Sequence, residues 1–135
     1  MSYLIAILSA AYCVGRWIVS IMEEENEPKP FTHYWVRPKE LDIERFAKFS
    51  AACEKTCKQS SGTLVDAVFT TDVVRFNAEP GCQAFVIERV SSDEDLDGEV
   101  FDFCKTCQYP YDAIVARCLV LLKEHFPEVT VTRPF

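Results

Sequence analysis

Phe101-Asp-Phe-Cys-Lys-Thr-Cys-Gln-Tyr-Pro-Tyr-Asp112, running on through Ala113 to Phe126, is the stretch whose reading decides the fold. Val100 to Cys104 reads as a short strand, with Phe101 and Phe103 expected to alternate toward the core. Pro110 is tolerated in a first helical turn, and Asp112 beside it is placed to accept backbone amides. The helix that follows sets Tyr111, Ile114, Val115, Cys118, Leu119, Leu122 and Phe126 on one stripe, leaving Arg117, Lys123 and Glu124 outside. Pro127 ends it, and Val129 to Thr132 can add an edge strand.

Upstream, Thr32 to Arg37 is rich in aromatic and branched residues and reads as a strand ending at Pro38. Asp42 can cap a helix reaching about Gln59, with Ile43, Phe46, Ala47, Phe49, Ser50, Cys53 and Cys57 near helical spacing and Gly62 closing the turn. Thr63 to Thr70, Asp72 to Asn77 and Gln83 to Val90 read as three further strands. Glu79-Pro-Gly-Cys82 is the turn that makes the last two an antiparallel hairpin. The expectation is a single α+β domain over 30–135. It has an antiparallel or mixed sheet of four to six strands packed against two main helices, with a hydrophobic helix over 1–22 in addition.

That N-terminal run, Tyr3 to Ile21, is apolar apart from Ser9, Gly15, Arg16 and Ser20. Three readings stand beside one another: a single-pass membrane anchor, a helix packed in the core or at an oligomer interface, and a non-native extension ahead of Met22. No basic residue precedes the run to make a signal peptide.

The chain has 135 residues, 49% of them apolar, enough for one ordinary core. Its net charge of -7 argues against nucleic-acid binding, which draws on clustered Lys and Arg to displace counterions. Seven cysteines cannot all pair internally, and free Cys packs well as a small core residue, so a reducing cytosol suits the chain.

Several constellations invite chemistry. Cys53 and Cys57 together with Cys104 and Cys107 could supply four thiolates to a structural zinc, although the first two lie on the expected core face. Asp93-x-Asp95-x-Asp97-Gly98 matches the opening of a calcium loop, but its twelfth position is Cys104 where a bidentate Glu is needed. His33 and His125 read as an exposed strand residue and a helix-end residue rather than as catalytic bases. No metal, cofactor or catalytic residue is therefore assigned. Cys104, Lys105, Thr106, Tyr111 and Asp112 meet at one strand-to-helix junction and form the candidate ligand site, suited to a small anion at a helix N-terminus.

The pattern Phe101-x-Phe-Cys-Lys-Thr-x-x-x-Pro-Tyr-Asp112, with Val115, Leu119, Lys123 and His125 after it, resembles a family of small bacterial and phage proteins without an assigned activity. The resemblance spans about residues 72–132. Cys107 is not part of the motif, and Thr132-Arg-Pro-Phe135 stands where a Ser-Ser-Asp-Gly-like tail would be expected. The resemblance implies a bacterial or phage origin and no mechanism; the reading preferred on the residues is a small non-enzymatic cytoplasmic binding module for a partner protein or small anionic ligand, acting as a homo-oligomer. The rivals are a small enzyme using Cys104 or Lys105 and a membrane-anchored accessory protein.

Overall fold

The computed structural model describes residues 31–60, 64–92 and 98–132; the expectations for residues 1–30, Gly62 and the acidic loop at 93–97 lie outside these. In chain order the elements are β1 (Thr32–Pro38), α1 (Ile43–Gln59), β2 (Leu64–Phe69), β3 (Val73–Ala78), β4 (Phe85–Glu88), β5 (Glu99–Lys105), α2 (Asp112–His125) and β6 (Thr130–Thr132). The architecture is α+β. Among the described residues no helix is long and apolar enough to cross a membrane.

α1 begins where Asp42 Oδ2 accepts a hydrogen bond from the Arg45 amide at 2.9 Å, satisfying one of the amides a helix start leaves without a partner. Its buried stripe is Phe46, Phe49, Ser50, Cys53 and Cys57, laid against Ile114, Val115, Cys118, Leu119 and Leu122 of α2. The helices run antiparallel: the α1 start meets the α2 end, where the rings of Phe46 and Phe49 lie 6.5 and 6.2 Å from that of Phe126. Ile43, expected on this face, is 55% exposed, because a turn ahead of Phe46 it falls beyond that contact. Arg45 covers the joint from outside, its guanidinium 4.7 Å above the Phe126 ring and paired with Glu128 at 2.9 Å.

Among the described residues, six strands form two three-stranded antiparallel sheets, ordered β5-β1-β6 and β2-β3-β4, rather than one sheet. The sheets are joined by backbone hydrogen bonds at the two ends of β4. Gln83 N–H donates to Lys105 O at 2.9 Å, but the returning Lys105 N–H goes to the Gln83 side-chain oxygen at 2.8 Å, so the ladder stops at its first rung. At the other end Leu41 N–H donates to Arg89 O and Ser91 N–H to Lys39 O, both at 2.9 Å. Arg37, 1% exposed, braces this end by donating to the carbonyls of Pro38, Lys39 and Arg89.

The expected inward alternation of Phe101 and Phe103 is reversed; they are 59% and 52% exposed. Antiparallel pairing sets Trp35 opposite Asp102 and His33 opposite Cys104, and the same register puts Tyr34 opposite Phe103 and Val36 opposite Phe101. One face of the pleat must turn inward, and it is the face carrying Trp35, whose ring lies 5.7 Å from that of Phe85. Phe101 and Phe103 are left on the outer face, where Tyr34 packs against both.

The β3–β4 hairpin turns through residues 79–82 as the sequence indicates. A side chain at Gly81 would collide with the Ala78 carbonyl and the Asn77 amide, so the turn closes only on glycine.

Candidate functional site

The β5–α2 junction has little free surface at the residues expected to bind a ligand. Cys104 is fully buried, with its thiol against the carbonyls of Gln83 and Ala84 at 3.7 Å, and burial pushes it up to about 12. A thiol so held stays protonated near neutrality and packs rather than attacks. Tyr111 is equally enclosed: its hydroxyl donates to Gln83 O at 2.7 Å and accepts from Cys82 N–H at 3.1 Å. Burial likewise pushes its phenol up to about 12. Lys105 is half-buried, and its carbonyl accepts from the Gln83 amide.

Thr106 and Asp112 act together with a residue that sequence reasoning placed on the surface. His33 is 3% exposed, and its Nε2 lies 2.6 Å from Asp112 Oδ1, so this nitrogen carries the proton when the carboxylate accepts. Thr106 Oγ1 donates to the same oxygen at 2.5 Å, and Thr106 N–H donates to Phe31 O at 2.9 Å. Asp112 therefore accepts from two side chains of other elements rather than serving as a cap. The helix's N-cap is Tyr111, with Pro110 one residue earlier, outside the first turn. The arrangement lacks the geometry of a catalytic triad, because the Thr106 hydroxyl faces the carboxylate and not the imidazole.

Beside this cluster, α2, the start of β1 and β6 enclose a groove of about 460 Å³. Phe31, Ala116, Leu119, Val120 and Val131 make its apolar walls. His33 and Asp112 lie at the end nearest the start of α2, and Lys123 and Glu124 toward its far end. Lys123 is tied down, its ammonium donating to the carbonyls of Pro127 and Val129 at 2.7 Å each. Val120 stands 48% exposed in one wall, an apolar side chain that the described residues leave partly uncovered.

The four cysteines weighed as zinc ligands are not brought together. Cys53 and Cys57 face Cys118 between the two helices, where Cys118 and burial push the Cys57 thiol well up, while Cys53 and burial raise that of Cys118 against an opposing effect of Cys57. Cys107 instead meets Cys82, at an Sγ···Sγ distance of 2.9 Å, with Cys104 behind them. Among the described residues no group of three or more His, Cys, Asp or Glu side chains is arranged to hold a metal ion. His125 closes α2, its Nδ1–H donating to Leu121 O at 2.9 Å and its ring edge-on to Phe49.

His33 was the residue to find. Its parity along β1 is that of Trp35 and Arg37, the inward face, but nothing local distinguishes that parity from that of Tyr34 and Val36. Comparison of the chain with known protein families, curated proteins and solved structures yields no match.

Proposed function

We propose that this chain is a non-enzymatic binding module whose ligand site is the groove between α2 and the β1–β6 pair. The observation that carries this reading is an apolar channel of about 460 Å³ ending on the His33–Asp112–Thr106 cluster. Apolar walls with a few converging polar groups are what ligand sites in general offer: area for affinity and hydrogen bonds for orientation. The enzyme alternative finds no support at Cys104, which is enclosed and holds its proton.

The geometry favours a neutral or cationic head group over an anion. Asp112 brings a carboxylate to the first turn of α2, where an anion would otherwise meet the helix dipole, and Glu124 adds a second near the far end. The nearby ammonium of Lys123 is already shared between two carbonyls. The ligand class that suits the groove is thus an apolar segment of a partner protein, or a small apolar molecule, bearing an amine-like donor for Asp112. The bacterial or phage origin implied by the motif resemblance is compatible with such a role.

An amide-resonance titration with decylamine tests the reading. Binding in the groove shifts the signals of Ala116, Val120 and Val131 together, with saturation. Shifts confined to the outer face around Phe101 and Phe103, or none at all, would remove the reading's basis.

A further inference from the structure

Two loops from different sheets present half-exposed thiols to each other. Cys82 ends the β3–β4 turn and Cys107 opens the β5–α2 loop, and their sulfurs lie 2.9 Å apart. That separation falls between the ~2.05 Å of an S–S bond and the roughly 3.5–4.0 Å of heavy atoms in ordinary contact. The backbone holds the pair there independently of the sulfurs. Gln83 N–H donates to Lys105 O at 2.9 Å, and the Tyr111 hydroxyl accepts from the Cys82 amide at 3.1 Å while donating to Gln83 O at 2.7 Å. Cys107 and Gln108 both take left-handed backbone, φ 55° and 59°, which L side chains visit sparingly.

We propose that Cys82 and Cys107 are a redox modification site that closes reversibly to a disulfide, tying the β3–β4 turn to the β5–α2 loop. The other described cysteines are set apart from this chemistry. Cys53, Cys57, Cys104 and Cys118 are buried, beyond the reach of an oxidant in water, whereas Cys82 and Cys107 are half-exposed. With oxidised glutathione as oxidant, the Cys82 thiolate attacks one glutathione sulfur and expels the other as a thiolate, leaving a mixed disulfide. The Cys107 thiolate then attacks Cys82 Sγ, forming the intramolecular S–S bond and breaking the mixed one. Two protein thiols are oxidised, one glutathione disulfide is reduced to two glutathione thiols, and these carry off both protons. In the reduced pair the hydrogen bond with Cys82 holds Cys107 above the usual thiol range, which disfavours Cys107 as the first nucleophile.

The test uses the folded full-length chain, incubated with oxidised glutathione, then alkylated in denaturant, digested and mapped by mass spectrometry. The expected product has lost two hydrogens, with the 82–107 linkage at least about tenfold above any other pair. In Cys107→Ser and in Cys82→Ser the remaining partner instead carries a glutathione adduct that does not resolve. Recovery of Cys82 and Cys107 both alkylated, or a dominant linkage involving any other cysteine, would overturn the proposal.

Discussion

His33 Nε2 lies 2.6 Å from Asp112 Oδ1, a bond that joins β1 to the first turn of α2 across 79 positions of the chain. With Thr106 on the same oxygen, it places one charge-assisted cluster at the end of an apolar groove. The bond therefore orders the β1–α2 contact as well as shaping the candidate site, and the two roles are separable by experiment.

Removing either partner leaves a largely buried polar group with fewer bonds. His33→Ala and Asp112→Ala are each expected to cost about 1–3 kcal/mol in urea unfolding, with a coupling of about 0.5–3 kcal/mol in the double-mutant cycle. Strict additivity would mean that the contact contributes nothing specific.

The outward setting of Phe101 and Phe103 makes a clear prediction about cost. Phe101→Ser and Phe103→Ser, at exposed positions, should change stability by less than about 1 kcal/mol, while Phe85→Ala, fully buried, should cost about 3–5 kcal/mol. Thermal unfolding of the three variants decides it, and a severe loss from either β5 substitution would return those rings to the core.

Tyr111 contributes to the alkaline limit, beside the buried thiols such as Cys104. Its phenol rises from 10 to about 12 in the fold, so the unfolded chain ionises first. Stability from this group is complete below pH 10 and is lost as pH climbs toward 12. Unfolding curves taken across that window should fall less steeply for Tyr111→Phe than for the unchanged chain, and equal slopes would contradict the assignment.

At the acid side, Arg45 holds the Glu128 carboxyl below its ordinary 4.5, chiefly through their hydrogen bond. A lowered carboxylate stabilises the fold above that ordinary value and ceases to do so as pH falls through the folded one. The small stability gap between the unchanged chain and Glu128→Gln is expected at neutrality, to shrink with added salt, and to close as pH drops below 4.5. A gap that persists unchanged into acid would point to packing instead.

How much of this was legible in the sequence depended on range. The α2 stripe from Tyr111 to Phe126 is buried as its spacing indicates, because helical periodicity is a local property of one segment. Asp42 caps α1 for the same reason. In β5 both parities are apolar, Val100 and Cys104 against Phe101 and Phe103, and only the pairing with β1 chooses between them. The burial of His33, the meeting of Cys82 with Cys107, and the division into two sheets at the Gln83 side chain are likewise settled by contacts between distant segments. Of the residues expected to bind a ligand, Asp112 lines the groove, while Cys104, Thr106 and Tyr111 are buried.

The most direct test of the groove is calorimetric titration of decylamine into the unchanged chain and into Val120→Lys, a substitution at a half-exposed helix position that should leave the fold intact. The account expects saturable binding by the unchanged chain, weakened at least about tenfold by the added ammonium in the groove wall, with decanoate bound more weakly than decylamine throughout. Equal affinity for both proteins, or preference for decanoate, would contradict it.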